Sequence, residues 1–97
     1  MKQSYHVYIL ASGRNGTLCT GVAGDLARRM WQHRNGEGSK FAAKYGVRRL
    51  VHAEPFVDVT EAIAREKAIK KWRRAWKLEL IERENPQWLD LYDRLNG

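Results

Sequence analysis

Three polar side chains of this sequence occupy positions where the surrounding pattern is apolar. Glu66 falls on the apolar stripe of a predicted long helix, where a lone carboxylate is unfavourable unless it is paired or binds a metal. Arg29 and His33 lie four residues apart, on the predicted apolar face of an earlier helix. An acid, a guanidinium and an imidazole, with tyrosines on predicted strands, are the groups that phosphodiester hydrolysis requires. A carboxylate holds Mg²⁺, a guanidinium stabilises the phosphate, and Tyr or His positions or deprotonates the water.

Each of these residues also has an ordinary structural interpretation when it is taken alone. Glu66 could form a salt bridge with a neighbouring basic residue. The stem of Arg29 could cover apolar surface while its charged end reaches water, and His33 could be a hydrogen-bonded residue at the rim of the core. Their combination in one basic chain favours the chemical interpretation. No two-metal cluster of carboxylates is visible in the sequence, so a one-metal scheme fits better.

The composition limits the kind of protein that carries these residues. The chain has 97 residues, of which 43% are hydrophobic and 30% charged, so we expect one folded domain over residues 1–97. Its single cysteine excludes an internal disulfide and a Cys-rich zinc module. No apolar run approaches the roughly 20 residues of a membrane helix, and the first residues lack a signal core. We therefore expect a cytoplasmic protein with no membrane partner.

The excess positive charge lies in two blocks of the sequence. The formal net charge is +7; residues 24–50 carry seven Lys or Arg and two acids, and residues 63–78 carry seven and one. One such block is commonly a solvated helix face, but two blocks between acidic segments favour a surface that binds phosphates. The basic residues expected to contact nucleic acid are Arg28, Lys40, Lys44, Lys70 and Arg73.

Two tryptophans, Trp72 and Trp76, lie among the basic residues of the second block. They could stack on nucleobases beside phosphate contacts, or they could lie in the core while the cations face water. The apolar stripe includes position 76, so the core interpretation is favoured for Trp76.

The pattern along the chain predicts an α+β fold with the order β-β-α-β-α-α. Strands are expected over residues 4–11 and 17–22, as a hairpin, and over residues 48–54. Helices are expected from Leu26 to about residue 34, with Asp25 as N-cap, over residues 60–83, and after Pro86. The simplest architecture is a small mixed sheet covered by helices. Gly21 lies inside the second strand, which indicates a bulge or the close approach of another group.

The segments Val7-Tyr8-Ile9 and Cys19-Thr20-Gly21 resemble the paired strand motifs of the GIY-YIG nuclease domain. The segment from Asp25 to Arg29, with His33 four residues later, resembles the arginine-bearing helix of that family. Later segments resemble its small stand-alone bacterial members, which are UPF0213-like; these are residues 38–41, 44–46, 49–51, 65–70 and 85–88. The resemblance implies a three-stranded antiparallel sheet flanked by helices. It also implies a metal-dependent endonuclease that hydrolyses phosphodiester bonds in nucleic acid, with DNA expected in repair or processing.

The same resemblance implies roles for individual residues. Tyr8 matches the tyrosine of the first motif, which positions or activates the attacking water. Arg29 matches the phosphate-binding arginine, and His33 matches a position near that water. Glu66 matches the single carboxylate that binds the metal, Mg²⁺ or Mn²⁺. Asn85 corresponds to a late polar residue of the site.

Cys19 departs from the family pattern, because the second motif usually begins with tyrosine. A thiol is smaller than a phenol and cannot occupy the same hydrogen-bonding position, although Cys19 still stands at a catalytic position of the motif. Either another residue (Tyr8, His33 or Tyr45) compensates, or cleavage is weak, or the chain is a nucleic-acid-binding module with the same fold. A domain this small commonly gains specificity elsewhere, so a protein partner that supplies it is also expected.

Overall fold

A nearly continuous run of apolar residues in the first strand gives the sheet a centre that is buried on both faces. The computed structural model describes residues 4–36 and 40–95. Its strands are β1 (Tyr5–Ala11), β2 (Leu18–Ala23) and β3 (Arg49–Phe56). The sheet order is β2-β1-β3 and both pairings are antiparallel. The α+β class and the three-stranded antiparallel sheet are thereby confirmed, and the expectation of a mixed sheet is wrong.

The helices cover the two faces of this sheet. They are α1 (Leu26–Arg34), α2 (Lys40–Tyr45), α3 (Val59–Lys71), α4 (Arg74–Glu84) and α5 (Tyr92–Leu95). On one face, Val7 and Ile9 of β1 pack in a cluster with Ile69 of α3 and Ile81 of α4. On the other face, Leu10 packs with α1 in a second cluster. Because consecutive strand residues point to opposite faces, the central strand must be apolar at nearly every position.

The predicted order of elements differs from the structure in two places. Helix α2 is an additional short helix, and the long helix expected over residues 60–83 is two helices that separate at Trp72 and Arg73. Both of these residues have extended backbone, with ψ of 149° and 154°. The segment contains neither Pro nor Gly, so local propensity does not explain the break. Instead, the guanidinium of Arg74 donates to the carbonyls of Asn15 and Gly16, at 2.7 Å each, and ties the start of α4 to the β1–β2 loop.

Asn85 belongs to the packing of the segment after α4. Its buried amide nitrogen donates to the carbonyls of Val51 and Leu89, at 3.1 and 2.9 Å, and its oxygen accepts from the Leu89 backbone N–H at 3.0 Å. Both ends of the amide are therefore used inside the fold. Among residues 4–36 and 40–95, none of these bonds connects Asn85 with Tyr8, Arg29 or Glu66.

A hydrogen-bonded ion pair fixes α3 against β3. Glu54 accepts from Nε and Nη2 of Arg65, at 2.8 and 3.0 Å, and its other contact is Nε2 of His52 at 2.7 Å. Burial alone would raise the pKa of Glu54, but the hydrogen bonds and charges of His52 and Arg65 lower it to about 2. This pair therefore helps to set the position of α3, the helix that carries Glu66.

Replacing Glu54 with glutamine is expected to make the protein less stable at neutral pH. A carboxyl whose pKa is lowered on folding contributes stability above its unfolded pKa, and that contribution is lost as the pH falls from 4.5 toward about 2. At about 1.4 kcal/mol per unit of pKa, with a discount for partial exposure, Glu54→Gln should lower the free energy of unfolding by about 2 kcal/mol. Urea unfolding at pH 7 measures this loss, which should shrink at acid pH. Glu79→Gln, in an exposed pair with Arg83, is the control and should change little; equal losses in both variants would contradict the assignment.

Among the residues that the structure describes, no helix combines the length and the apolar character needed to cross a membrane.

Candidate active site

Tyr8 lies across the second strand at a position that only glycine accommodates. In the antiparallel register Tyr8 of β1 faces Gly21 of β2. A Cβ added at Gly21 would lie 2.5 Å from the phenol oxygen and 2.6 Å from Cζ of Tyr8, closer than any van der Waals contact allows. Gly21 is thus required for the close approach of the ring. It was not among the predicted site residues, although a glycine inside a strand was the available signal.

The phenol of Tyr8 is buried and lies within the electrostatic reach of three further candidates. Burial raises the pKa of Tyr8, the positive charge of Arg29 lowers it, and the negative charge of Glu66, together with Cys19 where the thiol is ionised, raises it. The net direction is upward from 10.0, so the phenol keeps its proton at neutral pH. These four residues belong to β1, α1, β2 and α3, and the tertiary structure brings them together.

His33 adds an imidazole to the same group. It is buried on α1, and its ring stands edge-on to the ring of Tyr8, with centroids 6.4 Å apart and planes at 67°. Burial and the positive charge of Arg29 both lower the pKa of His33 below 6.5. The imidazole is therefore neutral at neutral pH, and one ring nitrogen can accept a proton.

Arg29 faces solvent, which corrects the prediction that it lies on the inward face of α1. Leu26, Met30 and His33 are buried, as the spacing predicts, whereas Arg29 is exposed. The physical reason is that its long side chain leaves the edge of the apolar face and reaches water. Its charge still acts on both Tyr8 and His33.

Glu66 is paired with Lys70, one helical turn later on α3. Lys70 Nζ lies 3.0 Å from a carboxylate oxygen of Glu66, whose side chain is only 15% exposed. This is the salt bridge that the structural interpretation of Glu66 anticipated. The charge of Lys70 also acts on Cys19: burial raises the pKa of the thiol, and Lys70 lowers it. Lys70 therefore belongs to this cluster as well as to the basic surface, and its i,i+4 spacing from Glu66 was the signal.

The cluster offers one carboxylate to a metal ion. Across the described ranges, no group of three or more His, Cys, Asp or Glu side chains is arranged to hold a metal. Mg²⁺ commonly keeps several waters and binds through one or two carboxylates together with substrate phosphates. The mostly buried carboxylate of Glu66 fits that mode of binding and does not fit a metal cage made by the protein alone.

Four other residues were predicted to contact nucleic acid: Arg28, Lys40, Lys44 and Arg73. Arg28 is exposed, and its backbone N–H donates to the side chain of Asp25, the N-cap of α1. The ammonium of Lys44 lies 5.5 Å from the ring centroid of Tyr45. Arg73 lies on Trp76 at the α3–α4 junction. The side chain of Lys40 lies outside the described residues, so its predicted contact stays a prediction.

A comparison with protein families decides the classification. The model of the GIY-YIG catalytic domain matches residues 4–79. The chain belongs to the GIY-YIG family. A UPF0213 protein of Staphylococcus saprophyticus is 38% identical to this chain over 77 residues, which is 79% of this chain and 93% of the relative. A UPF0213 protein of Oceanobacillus iheyensis is 34% identical over 82 residues, which is 84% of this chain and 94% of that relative.

A solved structure agrees with this classification. The solution NMR structure of a UPF0213 protein from Bacillus halodurans matches with a TM-score of 0.56 and 30% identity, over 90% of this chain and 92% of that one. The resemblance to small bacterial members is thereby confirmed. Membership of the GIY-YIG family indicates a nuclease-type enzyme with a nucleic-acid substrate, and nucleases of this family are generally dependent on a divalent metal. Asn85 lies beyond the matched residues 4–79.

Proposed function

We propose that this GIY-YIG protein is a divalent-metal-dependent endonuclease that hydrolyses phosphodiester bonds, with DNA as its substrate in repair or processing. The observation that carries the proposal is the convergence of four elements on one phenol. The ring of Tyr8 packs on Gly21 and lies edge-on to His33, and the charges of Arg29 and Glu66 shift the pKa of its phenol. An acid, a base, a phenol and a cation are the groups that phosphodiester hydrolysis requires.

The different protonation states of Tyr8 and His33 indicate different roles for the two side chains. Because its pKa is raised, the Tyr8 phenol is protonated and donates a hydrogen bond to the attacking water or to a phosphate oxygen. Because its pKa is lowered, His33 is neutral and takes the proton of the water on a ring nitrogen. The exposed Arg29 binds a non-bridging phosphate oxygen as charge develops.

Glu66 would hold the divalent cation, Mg²⁺ or Mn²⁺, through its carboxylate oxygens. A bound cation there supplies stabilisation of the negative charge on the phosphate and leaving oxygens. Lys70 neutralises the same carboxylate in the metal-free protein, so the mostly buried charge of Glu66 is compensated before the substrate arrives.

A pair of adjacent arginines offers a sharp test of this proposal. Wild type is expected to cut branched, single-stranded or duplex DNA with Mg²⁺ or Mn²⁺, and not with EDTA. Arg29→Ala should lower the cleavage rate by about 10²–10³-fold, the usual effect of removing one donor to a transition-state charge. Arg28→Ala removes the same charge from the neighbouring position, where the side chain is also exposed, and should cost only a fewfold loss through weaker binding. The rates are measured with end-labelled substrates, RNA included.

Two results of that assay would contradict the proposal. Equal losses for the two arginine variants would mean that Arg29 contributes only charge. Cleavage that persists in EDTA would mean that no divalent metal takes part.

The second candidate function is a nucleic-acid-binding module without cleavage, and Cys19 favours it. The thiol of Cys19 is half-buried beside the phenol of Tyr8, and its raised pKa keeps it neutral. It therefore does not make the hydrogen bond that a tyrosine would make, and it does not act as a thiolate nucleophile. If wild type binds but never cuts, while Cys19→Tyr cuts with Mg²⁺, the natural chain is this module. Cleavage by wild type excludes it. A protein partner that supplies specificity stays a prediction in either case.

A further inference from the structure

A second feature with ligand-binding geometry lies at the junction of α3 and α4. It is a groove of about 430 Å³ whose walls are Arg65, Trp72, Trp76, Glu79, Leu80 and Arg83. Pockets for small ligands commonly measure about 300–1,000 Å³, so the groove has the size of a site for one planar ring and its attached groups. None of these side chains belongs to the nuclease cluster, which we define as Tyr8, Cys19, Arg29, His33, Glu66 and Lys70.

The two tryptophans form an open aromatic corner. Their ring centroids are 6.1 Å apart and their planes are at 81°, so a planar ring stacked on one indole meets the other edge-on. Trp76 is 46% exposed, which shows that its predicted core position is wrong. The helix is interrupted at residues 72 and 73, so Trp76 of α4 does not continue the helical stripe that carries Ile69 of α3.

One wall of the corner is held rigidly. The guanidinium of Arg65 lies 5.0 Å above the ring of Trp72, and the same guanidinium makes two hydrogen bonds to Glu54 of β3. Trp72 also packs against the hydrophobic core. An aromatic surface that is preorganised in this way loses little conformational entropy when a ligand stacks on it.

The groove's own arginines, Arg65 and Arg83, are paired with Glu54 and Glu79, but the chain segment beside it is strongly basic. Five of the eight residues from Lys70 to Lys77 are Lys or Arg and none is acidic. The guanidinium of Arg73 lies 4.7 Å above the ring of Trp76. Arg73 is also the N-cap of α4 and makes no side-chain capping hydrogen bond, and the first turn of α4 has no acid. Cations at a helix N-terminus are unfavourable, so a phosphate beside Arg73 would relieve this arrangement. An aromatic corner next to a phosphate position matches a nucleotide.

From these observations we infer that the groove binds an unpaired nucleotide of a single strand, its base stacked in the corner of Trp72 and Trp76 and its phosphate at Arg73. A base within a duplex is already stacked on its neighbours, so only an unpaired base can enter. The groove is separate from the catalytic residues: its wall Arg65 binds Glu54 of β3, at one edge of the sheet, whereas Cys19 belongs to β2 at the other edge. The further conclusion that the substrates of cleavage contain a single-stranded segment rests on the proposed function. The binding of the nucleotide in the groove does not require cleavage.

Binding of oligothymidylate in EDTA tests the inference, with fluorescence anisotropy as the readout. Base stacking on an aromatic side chain contributes about 1–3 kcal/mol, so Trp76→Ala should weaken binding about 5- to 150-fold. Affinity for a duplex of the same length should fall less than about twofold. Trp76→Phe keeps an aromatic face and should restore most of the single-strand affinity. Trp31→Ala is the matched control, since Trp31 is 50% exposed on α1, and it should leave single-strand affinity unchanged.

Three outcomes would overturn the inference. They are wild-type affinity in Trp76→Ala, equal losses for single strand and duplex, and an equal loss in Trp31→Ala. Circular dichroism and urea unfolding establish whether each variant is folded. If Trp76→Ala does not fold, the comparison of Trp76→Phe with wild type still tests the inference. The absence of metal separates this result from the proposed function: binding can fail while cleavage is found, and cleavage can be absent while this binding is found.

Discussion

Replacing Glu66 with glutamine is expected to remove metal-dependent cleavage while the affinity for nucleic acid is kept. Glutamine has nearly the same shape but lacks the charge that holds a divalent cation. Metal stabilisation of a phosphoryl transition state amounts to several kcal/mol, and each 1.4 kcal/mol is about tenfold in rate. The cleavage rate should therefore fall by about 10³-fold or more. Binding should be equal or slightly tighter, because the substitution removes a negative charge and releases Lys70 from its ion pair.

Single-turnover cleavage and anisotropy, measured on the same preparations, check both halves of this expectation. Glu61→Gln is the matched control, since it makes the same substitution at an exposed position of the first turn of α3. It should leave the rate within about twofold. A Glu66→Gln protein that cuts at the wild-type rate would show that the metal is bound elsewhere, and the proposed role of Glu66 would be withdrawn.

Replacing Gly21 with alanine is expected to impair both stability and cleavage. The new Cβ would lie 2.5 Å from Oη and 2.6 Å from Cζ of Tyr8, so either the ring or strand β2 must move. The ring is buried against His33 and the α1 side of the core, which leaves it little room. Overpacking of this kind costs about 1–3 kcal/mol. A displacement of about 1 Å in a catalytic group can lower the rate about 10²-fold.

A double-variant cycle shows whether the clash with Tyr8 is the cause. In a Tyr8→Ala background the ring is absent, so Gly21→Ala should then change the free energy of unfolding much less than in wild type. Gly13→Ala is the control, because a Cβ at Gly13 meets no atom within 4 Å. If Gly21→Ala destabilises both backgrounds equally, the effect belongs to the strand and not to the tyrosine.

Much of the fold follows from patterns that act locally. Both alternating sets of side chains in residues 4–11 are mostly apolar, which predicts a strand covered on both faces, because consecutive side chains of a strand point to opposite faces. Asp25 caps α1 as expected, and Asp58 caps α3; each side chain accepts a hydrogen bond from a backbone N–H of its helix. The residue types of a phosphodiester-cleaving site, and the family that uses them, were also readable from the sequence. The structure brings Tyr8, Cys19, Arg29, His33 and Glu66 together; their roles stay predictions.

Other features depended on contacts between residues that are distant in the sequence. The interruption after Lys71 has no local cause; it accompanies the attachment of Arg74 to the loop between β1 and β2. That interruption is also what exposes Trp76. Helical periodicity assumes one continuous axis, so the pattern placed position 76 on a stripe that the folded chain does not have.

Asn85 and Gly21 also show that the sequence does not identify which residues contact each other in the folded chain. The family resemblance implied a late polar site residue at Asn85, yet its amide donates to the carbonyl of Val51, more than thirty residues earlier. Gly21 carried a signal for close approach without naming the group that approaches. The sequence by itself determined the class of fold, the family and the reactive groups, since these depend on residue type and spacing. Only the tertiary structure decided which groups meet, because a pair such as Tyr8 and Gly21 is defined by strand register and by packing between elements.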